Sequence, residues 1–330
     1  LGCVQEFGFT GGVDPAKDFQ AYRLALGVGV VAGAYQIILG LFRVGILVNL
    51  FPKAAIHGLL ASIGIIIISK QFPVLVGLSP QGSPLELLAG IPSFLTNMNP
   101  KVGVIGITGI IIVLGYGYIK NPKLKIIPAP MLMLLITVPM GTVMAIGLEG
   151  SYTFNNQIYE LGQKFLVNVP GNLLKAVTFP DFSGVVTETG IKYTVLFAII
   201  GSLEGVISAK AIDGIDPWGR KTNLDRDLLA TGIANTMSAF IGGLPMISEI
   251  VRSKANIDNG ARTRFANFYH GLFLLFCVAL IPGVINQIPL AALAALLVIT
   301  GYRLASPNEF KSVYREGKDQ FIVFVSTIFG

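Results

Sequence analysis

Long apolar runs separated by short polar connectors organise this chain. The hydrocarbon core of a bilayer, about 30 Å thick, takes roughly 20 residues of helix to cross. Stretches near that length recur at 22–41, 54–69, 102–119, 126–146, 193–212, 227–241, 264–281 and 288–302, and a further run starts at Phe321. Each is read as a helix. The 227–241 stretch carries the weakest signal, because Thr231-Gly232 and Asn235-Thr236 interrupt a short apolar run.

Between two of these runs the pattern breaks. Gly242-Gly243-Leu244-Pro245-Met246-Ile247 leads into Ser248-Glu249-Ile250-Val251-Arg252-Ser253, and the 248–256 stretch is too short and too polar to span. Irregular backbone at membrane depth survives only where protein or a water-filled cavity covers it. Ser is a favoured N-cap, so a half-helix is expected to start at Ser248, with free N–H groups and a positive dipole end at a cavity. An anion is the natural occupant of such a site. The pattern therefore points to a membrane anion transporter.

Composition fixes the solvent. Of 330 residues, 53% are hydrophobic and 13% charged, with a mean hydropathy of +0.70, whereas about a quarter of a soluble domain carries charge. The net charge of +6 matters less than its placement. Arg43 and Lys53, then Lys120, Lys123 and Lys125, then Lys210, Arg220, Lys221 and Arg226, then Arg303, Lys311, Arg315 and Lys318 fall in alternate connectors, and Arg262 and Arg264 join them provided that the half-helix and its lead-in together cross the membrane once. The positive-inside rule assigns that face to the cytoplasm. Opposite lie the connectors 71–100, 147–190 and 282–286; the 147–190 connector, with aromatic Tyr152, Phe154, Tyr159 and Phe165, is expected to fold against the outer surface. Trp218 reads as an interface anchor. Cys3 and Cys277 lie in settings too different to suggest a disulfide or a metal site, and His57 and His270 read as structural. With no His/Cys cluster and no Ser/His/Asp arrangement, an enzyme is not expected, nor is a nucleic-acid partner. The chain starts at Leu1 and stops inside an apolar run, so it reads as a fragment open at both ends.

From 201 to 306 the sequence resembles the SulP family of inorganic anion permeases, the sulfate and bicarbonate transporters related to pendrin and prestin. Gly201-Ser202-Leu203-Glu204-Gly205 is similar to the family's Glu-bearing helix, and Asn223-Leu224-Asp225-Arg226-Asp227 to the turn and helix that follow it. Gly242-Gly243-Leu244-Pro245, Arg252-Ser253, Gly260-Ala261-Arg262-Thr263 and the Ala/Leu-rich stretch from Pro289 continue the match in order. Upstream, Gln36 to Gly45 resembles the fourth helix and its exit turn. The resemblance implies an all-α polytopic membrane protein with a partial inverted-repeat transporter fold, seven segments plus seven, a core and a gate domain, and a half-helix at mid-membrane. By that register 1–21 is an extracellular loop, 22–53 ends the first core part, 54–147 is gate, 148–190 an extracellular loop, 191–282 core with the half-helix at 248–257, and 283–330 gate. The first segments and the C-terminal regulatory domain fall outside the chain. In the family the anion sits between two facing half-helices, of which only the second falls within this fragment. The resemblance further implies a multi-pass protein of the bacterial inner membrane, no cofactor beyond Na⁺ or H⁺ as coupling ion, and a homodimer of the kind common in the family.

The candidate substrate-binding set is Ser248, Glu249, Ile250, Val251, Arg252 and Ser253; Glu204 is the candidate ion-coupling residue. Ser248 is either a site residue or an ordinary cap. Arg252, a turn later and at the position of the family's Arg, either supplies positive potential to the anion or pairs with Glu204 or Glu249. Glu204 sits in an otherwise apolar helix, where a carboxylate suits a proton or, with other oxygen ligands, Na⁺; its alternative is a salt bridge to Arg252. Glu249 departs from the family pattern, as does Val251. A carboxylate there suits a helix's first turn but repels an anion, sulfate more than bicarbonate or a monocarboxylate. Two other functions share this architecture: a nucleobase–cation symporter, with Glu204 and Glu249 holding the base, and an anion channel.

Overall fold

The computed structural model describes residues 2–10, 14–45, 53–80, 82–119, 127–169, 171–172, 176–258 and 260–329. In chain order its helices are α1 (Gly2–Glu6), α2 (Pro15–Leu41), α3 (Lys53–Leu75), α4 (Pro84–Ala89), α5 (Ile91–Thr96), α6 (Pro100–Gly115) and α7 (Ala129–Val143). A hairpin, β1 (Gly150–Phe154) and β2 (Gln157–Leu161), follows. Then come α8 (Glu188–Ile215), α9 (Leu224–Phe240), α10 (Ile250–Asp258), α11 (Phe265–Leu280), α12 (Pro282–Ile285), α13 (Leu290–Leu304), α14 (Pro307–Glu316) and α15 (Lys318–Phe329). Among the described residues, four helical stretches are long and apolar enough to cross a membrane, Pro15–Leu41, Pro100–Tyr118, Glu188–Gly214 and Leu290–Glu316.

Several boundaries differ from the sequence pattern for identifiable reasons. α2 starts seven residues ahead of its apolar run, inside the stretch read as a loop, because Asp14 caps the N–H groups of Ala16 and Lys17 and Pro15 occupies the first helical position. Helix α8 begins at Glu188 because the Thr187 hydroxyl accepts from Gly190 N. The outer connector is not all loop. Asn155 and Asn156 adopt φ of 49° and 60°, the left-handed pair that closes a two-residue hairpin. Lys120, Lys123 and Lys125, assigned to the cytoplasmic face by their positions in the sequence, lie outside the described residues.

The chain divides into two compact units, Leu1–Phe51 with Asn172–Leu274, and Pro52–Gly171 with Leu275–Gly330. In the first, α2 and α9 cross with backbones nearly touching. A Cβ at Gly33 would lie 2.8 Å from Thr236 N, one at Gly40 2.8 Å from Leu229 N, and one at Gly232 2.7 Å from Ile37 N. Such close crossings are how membrane helices gain packing energy where burial from water contributes little.

In the second unit, Val102, Ile105, Met133, Ile146, Ala291, Ala292 and Ile299 form a shared buried cluster of α6, α7 and α13. A Cβ at Gly301 on α13 would fall 2.6 Å from Gly64 O on α3. The hairpin is fastened to α6: Tyr152 Oη donates to Asn99 Oδ1 at 2.8 Å and accepts from Lys101 N at 3.1 Å, while the Lys101 ammonium lies 4.5 Å from the Tyr152 ring centre. His57 Nδ1 lies 3.2 Å from the Glu309 carboxylate, tying α3 to α14.

Candidate functional site

The break at 242–249 is extended backbone laid against α9, with short α10 beginning after it. Three contacts hold it. Gly242 takes φ +101°, a conformation that side-chain-bearing residues rarely adopt, and its carbonyl accepts from the Tyr22 hydroxyl of α2. Gly243 N donates to Ser238 O at 2.7 Å. At the centre, the Asn235 carboxamide grips the backbone of Met246 from both sides: Oδ1 accepts from Met246 N at 2.8 Å, and Nδ2 donates to Met246 O at 2.9 Å. The same Nδ2 donates to Gln36 Oε1 of α2 at 2.8 Å. Asn235 is 1% exposed and Gln36 3%. A Cβ at Gly201 would lie 3.0 Å from Gln36 Nε2, so α8 closes over the same amide pair. A carboxamide is the one neutral side chain that offers a donor and an acceptor in the spacing of a peptide bond, so Asn235 replaces the strand or helix partner that Met246 lacks.

The half-helix starts later than its sequence suggests. Ser248 lies two residues ahead of α10, outside the N-cap position. The position ahead of α10 is Glu249, whose carbonyl accepts from Ser253 N at 3.2 Å and from Ser253 Oγ at 2.7 Å. Ile250, Val251 and Arg252 form the first turn, whose N–H groups have no intrahelical acceptor and face the space beyond the helix end.

Arg252 makes the pair with Glu249 that was one expectation for it. Its Nε donates to Glu249 Oε2 three residues earlier, and the two side chains are 70% and 39% exposed. The pair is thus solvent-facing, not the buried bridge to Glu204 that was one expectation. Glu204 is half-buried midway along α8, which packs against α10. Among the described side chains no basic group lies within ion-pair distance of it. No cluster of three His, Cys, Asp or Glu side chains suited to a metal occurs among the described residues.

The sequence reading passed over Asn235, Gln36 and Tyr22. For two of them the signal was present: a carboxamide in an apolar helix needs a partner, and Gln36 and Asn235 each interrupt a run in that way.

The chain is similar to several known proteins. YvdB of Bacillus subtilis is 25% identical over 303 residues, covering 89% of this chain and 53% of that protein. Bicarbonate transporter BicA of Picosynechococcus is 25% identical over 283 residues, covering 86% of this chain and 47% of BicA. The chain thus spans about half the length of these relatives. The solved transmembrane domain of a cyanobacterial BicA superposes with a TM-score of 0.72 at 20% identity, over 94% of this chain and 74% of that one. A family model described as the sulfate permease family matches residues 4–327. Nearly the whole chain falls within that match, and it belongs to the sulfate permease family.

Proposed function

We propose that the protein is a secondary transporter that carries a small inorganic or organic anion, such as bicarbonate or sulfate, across the membrane by alternating access. The observation that carries this reading is the unravelled segment 243–249, held open by Asn235 in front of the free N-terminus of α10. Unpaired N–H groups and the helix dipole offer an anion a site whose donors are fixed before it arrives. Ser248, Glu249, Ile250, Val251, Arg252 and Ser253 surround that end. The first compact unit is the substrate-carrying core and the second the gate against which it moves. Glu204 takes up the coupling Na⁺ or H⁺, since an intramembrane carboxylate with no basic partner among the described side chains gains most from a cation.

The nucleobase reading needs Glu204 and Glu249 free to hold a base, and Arg252 occupies Glu249. The test is uptake by proteoliposomes of the full-length protein, with labelled bicarbonate, sulfate and a dicarboxylate, with and without imposed Na⁺ and pH gradients. Gradient-dependent accumulation of one of these anions, not competed by uracil, is expected. Uracil uptake without anion uptake, or an ionic conductance without stoichiometric exchange, would replace this reading.

A further inference from the structure

A second basic cavity lies at the far end of α10, within the first unit. It has a volume of about 310 Å³ and is walled by the end of α8, the loop after it, the end of α10 and the start of α11. Its charged lining is Asp213, Asp216, Arg220, Arg262 and Arg264. Both carboxylates are engaged. Asp216 takes Arg220 Nη2 at 2.7 Å and Nε at 2.9 Å, and the guanidinium holds its carboxyl down at a pKa of about 2. Asp213 accepts Thr222 N at 2.8 Å and Thr222 Oγ1 at 2.6 Å.

Arg220 is a brace: beyond Asp216, its Nη1 donates to the Arg262 carbonyl, which fixes the 260–264 loop against the loop after α8. Among the described side chains neither Arg262 nor Arg264 is in an ion pair, and both residues are exposed where they line the cavity. Trp218, 45% exposed, lies with its ring 4.7 Å from the Arg220 guanidinium. A tryptophan stacked on an arginine beside a basic cavity at a helix end is the arrangement found where a protein meets the headgroup layer.

We propose that this cavity binds a phosphate group, held by Arg262 and Arg264, and that its source is the headgroup of an anionic phospholipid. Guanidinium forks match phosphate oxygens in pairs, and the Arg220 brace sets the loop that carries both forks before the ligand arrives. The cavity shares Ser253 with the set around the α10 N-terminus, but the proposed contacts of Arg262 and Arg264 do not depend on the transport reading.

The test uses the purified full-length protein in non-ionic detergent, titrated with dioctanoyl phosphatidylglycerol, dioctanoyl phosphatidylcholine and inorganic phosphate. Phosphatidylglycerol is expected to bind and phosphatidylcholine not to. The double variant Arg262→Gln/Arg264→Gln should weaken phosphatidylglycerol binding about thirtyfold, from two basic contacts to an anionic headgroup. Lys311→Gln/Arg315→Gln on α14, an equal loss of charge elsewhere, should not. The lipid-free melting temperature serves as the folding control; if the double variant is not folded, Arg264→Gln alone is read, with a loss of about fivefold expected. Competition by inorganic phosphate with the same arginine dependence would support the phosphate site while moving its source to the free ion. Equal binding of the two lipids, or an arginine variant within about twofold of the parent, would overturn the proposal.

Discussion

Replacing Asn235 by Ala should separate the scaffold of the site from its chemistry. The change deletes three hydrogen bonds, two to Met246 at 2.8 and 2.9 Å and one to Gln36 at 2.8 Å, from a side chain that is 1% exposed. At a net value of about 1 kcal/mol each, the loss is about 3 kcal/mol, with more at risk if Gln36 is left without a partner. Asn235→Asp keeps the acceptor for Met246 N but sets a buried carboxylate oxygen against two other acceptors, Met246 O and Gln36 Oε1, so it should destabilise at least as much as Ala. The readouts are the melting temperature of the purified protein and the apparent affinity for the transported anion in proteoliposomes. Stability should fall in both variants. Anion affinity should fall with it, because the segment that presents the α10 N-terminus is no longer pinned. A variant that melts several degrees lower yet binds the anion with unchanged affinity would refute the idea that the clamp preorganises the site.

Three further substitutions probe the charges around α10. Arg252→Ala should weaken anion affinity beyond the loss of a screened surface pair, since it also exposes the Glu249 carboxylate to the anion; Arg252→Lys should recover part of it, and unchanged affinity at equal expression would remove Arg252 from the site. Glu249→Gln frees Arg252, and one negative charge a turn away costs an anion on the order of 1 kcal/mol per unit charge in a watery surrounding. The sulfate-to-bicarbonate affinity ratio should therefore rise about fivefold, measured as mutual inhibition across pH; an unchanged ratio with lower stability would make the pair structural. Glu204→Gln should abolish gradient-driven accumulation while anion-for-anion exchange persists, and full accumulation would reduce Glu204 to a packing role.

The spanning helices were legible because length and apolarity are local properties, and a run such as 102–119 carries both. Their ends were less so. α2 reaches back to Pro15 through Lys17, Asp18 and Arg23, residues that an apolar run excludes but the Asp14-Pro15 cap admits. Ser248 illustrates a different limit: its type favours a cap, but the 242–249 segment is tied to α9 through Asn235 and the helix begins two residues later, a placement that exists only once the chain has folded back. The Gln36–Asn235 bond joins residues 199 apart in sequence, so each amide could be noticed alone and neither partner named. The Arg252–Glu249 pair, three residues apart on one helix face, was within reach of spacing alone, and it was one of the alternatives weighed.

The central claim, that an anion occupies the space at the α10 N-terminus, is tested most directly by thiol protection. Ile250→Cys, in a full-length background with Cys3→Ser and Cys277→Ser, places a reactive group in the first turn of α10. Its labelling by a small methanethiosulfonate reagent is followed with and without the transported anion, alongside Lys311→Cys on α14 as a distant control. The anion should slow labelling at position 250 in proportion to its apparent affinity and leave position 311 unaffected. Equal labelling rates at position 250 with and without saturating anion would contradict the account.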